Sequence, residues 1–419
     1  MIQSLHLALL ALGTLACGMA GQWLLFTVIG AGEETDAYFA ALVVPQVFLA
    51  IVGGALLHAL VPLLAQYEAP DRRRLVWALL LRGIGPTLAA VSFLALTAPL
   101  WMRLIAPGFS GSQWDQSIAQ ARIQALALGV SLIALLLAAG AQAAGRSRRV
   151  ERASFAGALL NLAIIAWLVS SLGALSAAWA NVGRAVLQCL LIVPLFGLPV
   201  FGDQRGDILP TLWGRMRPLL VGTSLPKADP LIDRNLMSLT ADGTLSLFQL
   251  AQVLISSVIE IINRAWVAPA LPVLARCAEA PVEYAQRVRG LMLTISLITV
   301  AVVFPLVVVG HGLLQWVLEH GRFSGDDVTR LWWIMVGLAG VLIGGGLGQA
   351  GSAAFYARGD TLTPARLALT SFCVFAPLKV GAFFILGLPG LVVACSAYYL
   401  TNALILTVML RRLPGWPKP

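Results

Sequence analysis

The chain has 419 residues, 59% hydrophobic and 11% charged, with a formal net charge of +9. Soluble domains carry roughly 45–50% apolar and about 25% charged residues, so this composition excludes an ordinary water-soluble domain. A positive balance in a soluble protein would suggest nucleic acid. Here it sits in short loops between apolar stretches, where it meets an anionic leaflet, and no nucleic-acid partner is expected.

A bilayer-spanning helix needs about 20 mostly apolar residues. The sequence therefore predicts an all-α polytopic membrane protein of about twelve spans, near 5–30, 36–65, 76–102, 119–144, 153–171, 175–200, 210–238, 244–275, 286–316, 327–357, 363–386 and 389–411. The first stretch has no basic segment ahead of it and no cleavage-like site after Ala20, so it reads as a span and not a removable signal. Asp36 opens the second span behind Glu33, Glu34 and Thr35. Either Thr35 or Asp36 caps that helix, or Asp36 belongs to a site. His58, beyond Gly53-Gly54, reads as a packed or interfacial histidine. For Arg184 in the sixth span and Lys379 in the eleventh, lining a cavity and snorkelling to the interface both stand open. Cys17, Cys189, Cys277, Cys373 and Cys395 are scattered without ligand spacing and read as small apolar packing residues.

The gaps between spans alternate in charge. One set holds Arg72, Arg73 and Arg74; Arg146, Arg148, Arg149 and Arg152; Arg205, Arg215 and Arg217; Arg276, Arg287 and Arg289; Arg358 and Arg366; and Arg411, Arg412 and Lys418. The intervening set holds only Arg103, Arg122, Arg322 and Arg330. Lys and Arg resist translocation, so the basic side is expected to face the cytoplasm, with both termini inside.

The second half echoes the first. Val61-Pro62-Leu63-Leu64-Ala65 returns as Leu271-Pro272-Val273-Leu274-Ala275, Phe109-Ser110 as Phe323-Ser324, and the basic turn at Arg146 as that at Arg358, with offsets of 210, 214 and 212. Two six-helix halves, 1–203 and 204–419, are expected as parallel repeats about an axis along the membrane normal, joined through the polar stretch 202–207.

Ionisable residues inside spans cost about 2.5–3.5 kcal/mol on insertion scales and mark polar cavities. Most collect in two spans: Lys227, Asp229, Asp233 and Arg234 in the seventh, Glu260 and Arg264 in the eighth. Asp229 and Asp233 are four apart and share a helix face, as do Glu260 and Arg264. Pro226 and Pro230 remove backbone donors and should bend the seventh span beside a cavity. Lys227 and Arg234 are candidates to hold a phosphate. Asp229 or Asp233 could take a coupling cation or a sugar hydroxyl, with Gln249, Gln252 and Asn263 as further polar partners. The competing reading is mutual neutralisation as structural pairs. No GxxxxGK[ST], HExxH or GxSxG occurs and no large extramembrane loop is present, so neither an enzyme nor a cofactor is expected.

Gly30-Ala31-Gly32 with Thr35-Asp36-Ala37-Tyr38-Phe39 resembles the first-loop motif of the MurJ/MviN lipid II flippases, a branch of the multidrug/oligosaccharidyl-lipid/polysaccharide (MOP) exporter superfamily. The resemblance extends to Val61-Pro62-Leu63-Leu64-Ala65-Gln66-Tyr67, Ala106-Pro107-Gly108-Phe109, Gly321-Arg322-Phe323, the run Phe355-Tyr356-Ala357-Arg358-Gly359-Asp360-Thr361-Leu362-Thr363-Pro364, and Asp233-Arg234 ahead of Ala241-Asp242-Gly243. It implies a V-shaped transporter of two six-helix lobes in the bacterial inner membrane. Such a transporter moves a polyprenyl-pyrophosphate-linked saccharide by alternating access, with the head group held by the first, second, seventh and eighth spans. Asp36 matches the family's acidic residue after the first loop. The substrate-binding set expected on both grounds is Lys227, Asp229, Asp233, Arg234, Asp36, Gln252, Asn263 and Arg264.

Two departures from the family pattern stand out. Lipid II flippases place arginines in the first two spans and midway along the eighth; here the first Lys or Arg is Arg72, and Gly21, Leu49 and Val253 stand near those positions, with Gly53 where the family often has Glu. The sequence given also ends after twelve spans, where many relatives continue with two more. The reading is a flippase for an exopolysaccharide or other envelope-glycan repeat unit, or for lipid II. The rival readings are a cation-coupled multidrug-type antiporter and a non-transporting scaffold for envelope-glycan enzymes. H⁺ or Na⁺ as coupling ion and glycan-synthesis enzymes as partners stay open.

Overall fold

A computed structural model describes residues 2–198 and 208–412; the linker at 202–207, with Arg205 and Lys418, lies outside them. Among the described residues every regular element is helical. Ten helices are long and apolar enough to cross a membrane, or eleven if the pair Gly325–Gly337 and Ala339–Ala357, bent by 42°, counts as one span. The remaining expected span, the seventh, is broken. It comprises Ile208–Lys227 and Asp229–Met237, meeting at Ala228 between Pro226 and Pro230. A continuous helix there would have to do without two backbone donors, and Asp229 with Pro230 opens the second piece as a normal first turn.

By packing, the chain forms one unit of Met1–Leu245 and a second of Ser246–Pro419, a division that differs from the 203/204 boundary read from the repeats. The seventh span is the reason. Leu212 and Met216 join the first unit's core with Leu60, Leu64, Val76, Leu137 and Phe196, and the span's second piece docks on the 104–108 region. The core of the second unit gathers Val288, Ile295, Ala350, Ala354, Leu406 and Leu410. Large apolar side chains such as Trp167 and Ile385 point outward, about 80% exposed, as expected of helices whose solvent is lipid.

The repeat spacing is also present in the backbone. A π turn occupies Leu49–Gly53 in the second span and another Asn263–Val267 in the eighth, an offset of 214. Left-handed glycines follow the same spacing: Gly145 (φ 70°) with Gly359 (φ 77°), and Gly173 (φ 55°) with Gly387 (φ 66°). The third and ninth spans each end in a short extra helix, Ala98–Ile105 and Gly310–Leu318.

Loop geometry follows from helix-end chemistry. On the basic side, Arg72 donates to the Ala143 carbonyl (2.6 Å) and Arg73 to that of Leu198 (2.9 Å), satisfying carbonyls that helix ends leave open. In the run at 359–364, Asp360 accepts from the backbone N–H groups of Leu362 and Thr363 (3.1 and 2.9 Å) and from the Thr363 hydroxyl (2.6 Å). The Thr363 hydroxyl is the main reason that the Asp360 carboxyl sits below its ordinary value, so this cap persists well into acid.

In the second unit, small residues allow near-contact of backbones. A methyl on Gly344 would meet the backbone of Tyr399, whereas one on Gly348 would meet nothing within 4 Å. Gly344→Val should therefore cost about 1–3 kcal/mol by overpacking, and Gly348→Ala should leave stability unchanged. Thermal unfolding in detergent checks both, and equal melting temperatures would contradict the packing described.

Candidate functional site

In the first unit the charged residues of the seventh span meet the first loop. Gly30 (φ 88°) ends the first helix, and Gly32 begins the second by donating its N–H to Thr35 Oγ1 at 3.0 Å. Thr35 is therefore the residue that organises the helix start, and Asp36 is released for another partner. Its Oδ2 accepts the backbone N–H of Gly243 at 2.7 Å. Gly243 has φ 81°, and a Cβ there would lie 2.8 Å from the Ala31 carbonyl oxygen, so the close approach of this turn to the first loop requires glycine at 243.

Asp36, Asp233 and Arg234 are all buried, at 3, 2 and 3% exposure, and the Arg234 guanidinium lies in the field of both carboxylates. A guanidinium so placed is already neutralised and shielded from any ligand. Of the two cations expected to meet a phosphate, Arg234 thus belongs to the fold. The segment after it is anchored as well: Asn235 donates to the Leu104 carbonyl at 2.5 Å, and Gly108 abuts the backbone of Ser238. Glu33 and Glu34, beside Asp36, hold two further loops, accepting from the Ser112 hydroxyl (3.3 Å) and the Ala174 N–H (2.6 Å).

Lys227 is different. It ends the first piece of the broken span, half-buried, and its Nζ donates to the Ala50 carbonyl at 2.8 Å. Ala50 lies in the π turn of the second span, where the altered ladder exposes a carbonyl, and a Cβ on Gly54 would stand 3.2 Å from the ammonium. Among the described residues no carboxylate oxygen lies within 4 Å of it. Asp229, one turn before the buried Asp233, is half-buried at the head of the second piece. The structure thus brings together Asp36, Asp233 and Arg234 as a buried cluster, with Lys227 and Asp229 beside the break.

The remaining candidates belong to the second unit. Arg264 is paired with Glu260 at 2.5 Å, both partly exposed, which is the structural pairing that the sequence left open. Asn263 opens the π turn and lines a cavity of 710 Å³ with Glu260, Gln349, Ser352, Tyr399 and Asn402. Gln249 is buried and Gln252 half-buried on the same helix. Lys379 is fully buried with its ammonium 5.7 Å from the Tyr398 ring centre, so it does not snorkel; His58 is exposed. Sequence reasoning missed the Ala50 carbonyl and Gly243. The signals were there in Gly53-Gly54 and Ala241-Asp242-Gly243, but neither motif names its partner.

Removing Asp36 leaves a buried guanidinium short of a carboxylate and a buried N–H without an acceptor. Asp36→Ala should cost about 3–5 kcal/mol, the scale of breaking a buried pair, and Asp36→Asn less. Chemical denaturation in detergent measures both, and a wild-type midpoint for Asp36→Ala would remove the cluster from its structural role.

A family model described as lipid II flippase MurJ matches residues 25–417. The chain is 24% identical over 440 aligned residues to the lipid II flippase MurJ of Burkholderia cenocepacia, covering 95% of this chain and 82% of that one. It is 22% identical over 413 residues to a probable lipid II flippase MurJ of Thermotoga maritima, covering 96% and 83%. Among solved structures it resembles a lipid II flippase MurJ in an inward closed conformation (TM-score 0.82, 16% identity, 97% of this chain and 88% of that one). It also resembles an inward-facing multidrug resistance MATE family transporter of the MOP superfamily (TM-score 0.78, 18% identity, 95% and 94%). At such identities these structures show the fold, an all-helical MOP-type membrane protein as the sequence led one to expect. With the family model spanning nearly the whole sequence, the chain belongs to the lipid II flippase MurJ family.

Proposed function

We propose that this protein flips an undecaprenyl-pyrophosphate-linked saccharide across the bacterial inner membrane by alternating access, as a transporter without covalent chemistry. Family membership supports the substrate class. The observation that carries the mechanism is Lys227: an ammonium at the break of the seventh span, bonded to one neutral carbonyl and to no carboxylate among the described residues. A pyrophosphate at membrane depth needs fixed positive charge, and an ammonium with further N–H donors supplies it. Asp229, half-buried next to the break, is our candidate acceptor for a sugar hydroxyl. Gln252, Asn263 and Arg264 are the polar candidates of the second unit.

The first two spans bring no Lys or Arg, since none precedes Arg72. A site relying on one ammonium suits a different balance of head-group contacts from one lined with arginines, so we place an exopolysaccharide or other envelope-glycan repeat unit ahead of lipid II. An antiporter of organic cations needs a carboxylate able to exchange partners. Asp36 and Asp233 are buried beside Arg234, which argues against that use of them.

In proteoliposomes, Lys227→Ala should reduce translocation of the preferred lipid at least tenfold with an unchanged melting temperature, and Lys227→Arg should retain most of it. Supplying lipid II and an undecaprenyl-pyrophosphate oligosaccharide in parallel identifies the substrate; transport by Lys227→Ala at the native rate would end the proposed role. For orientation, in a background free of native cysteines, Ser110→Cys should react in intact cells with a membrane-impermeant maleimide and Ser147→Cys only after permeabilisation. The reverse pattern would invert the topology.

A further inference from the structure

The first unit encloses a second polar space, set apart in sequence from the seventh span. It is a cavity of 450 Å³ among the second, fourth, fifth and sixth spans, lined by Gln46, Gln124, Gln142, Asn181, Arg184 and Gln188 with apolar neighbours. That volume falls within the range of small-molecule sites. Its counterpart by repeat position is the cavity of the second unit, and the two linings correspond at offsets of 214 and 218: Gln46 with Glu260, Leu49 with Asn263, Leu135 with Gln349, Arg184 with Asn402. Their charges have diverged. In the second unit Glu260 and Arg264 neutralise one another, and Asn402 stands where the first unit has Arg184.

Arg184 lies midway along the sixth span, Leu175–Phe196, and an arginine stays charged at any physiological pH. Among the described residues no carboxylate oxygen lies within 4 Å of its guanidinium; Glu151, the single acid of the lining, forms no ion pair with it. A second donor is unused beside it. Asn161 donates to Asn181 Oδ1 (3.2 Å), and Asn181 Nδ2 donates to Tyr38 Oη (3.2 Å) and Gln124 Oε1 (3.4 Å). In this relay the Gln124 amide oxygen faces Asn181. Its Nε2 is left without an acceptor, in a side chain 98% buried. A guanidinium without a carboxylate among the described residues and a buried amide donor without an acceptor, both in the lining of one cavity, call for the same chemistry, an anionic oxygen. The lining residues Gln142, Val150, Glu151 and Ser154 are close in sequence to the exposed Arg146, Arg148, Arg149 and Arg152, whose field attracts anions.

We infer that this cavity is a binding site for a phosphate group carried on a small polar body, with Arg184 and Gln124 as its principal donors. Both a soluble phosphomonoester and the headgroup of an anionic lipid present that chemistry. The site is independent of the flipping role proposed for Lys227.

The test uses the full chain in nanodiscs of phosphatidylcholine. Glycerol 3-phosphate is titrated by calorimetry, and in a second arm the melting temperature is compared between discs with and without phosphatidylglycerol. Binding of glycerol 3-phosphate that weakens at least tenfold in Arg184→Gln, and severalfold in Gln124→Leu, but not in the exposed Arg82→Gln, supports a soluble phosphate ligand. No such binding, but stabilisation by phosphatidylglycerol that disappears in Arg184→Gln, supports a lipid headgroup. Neither signal, or a signal equal in native and Arg184→Gln protein, overturns the proposal. Arg184→Gln removes a charge that has no ion-pair partner and should melt no lower than the native protein in phosphatidylcholine. Should it fail to fold, Gln124→Leu carries the same comparison.

Discussion

Asp36 is the residue on which the first unit's architecture turns. A carboxylate at 3% exposure survives only if it is compensated, and here a backbone N–H and the field of a guanidinium do so together. That requirement ties three places in the sequence: the first loop, the second piece of the broken span, and the turn that leads into the eighth. Glu33 and Glu34 extend the arrangement to the loops at 112 and 174, so a run of acids at one helix start gathers the loops of one end of the unit.

Charge is thus divided between two tasks. Arg234, Asp36 and Asp233 are buried together and maintain shape. Lys227, just before the break, donates to a neutral carbonyl, and among the described residues no carboxylate oxygen lies within 4 Å of its ammonium. The break itself separates the tasks: the two prolines stop the helix between Lys227 and Asp229, so each piece packs on its own terms.

Much of this was legible from residues. Hydrophobic run length located nearly every span, since in lipid a helix must satisfy its own backbone, and the prolines flagged the seventh as bent. The i,i+4 spacing put Glu260 and Arg264 on one helix face, where they pair, though it left open whether they pair or serve a ligand. The long-range partners were not legible. Helical spacing says which residues share a face and nothing of what lies opposite, so it did not show that the carboxylate of Asp36, some two hundred residues away, joins that of the adjacent Asp233 in the field around Arg234. The packing boundary at Leu245 escaped for a related reason: repeats record how a chain was assembled, whereas Leu212 and Met216 bury where apolar surface is offered.

The π turns at Leu49–Gly53 and Asn263–Val267 bear on how these spans are to be drawn. A π turn holds one residue more than an α turn, and one residue is about 100° of helical rotation. Each span that contains one is therefore two helical wheels out of phase with each other. A single wheel through 33–65 places Leu57 and Val61 in line with Phe39 and Val43, a stripe that the extra residue of the turn breaks by about 100°. Deleting one residue from such a turn would restore an unbroken α-helix and leave every side chain beyond it facing the neighbour it already has, whereas a deletion elsewhere in the span would rotate them all by about 100°.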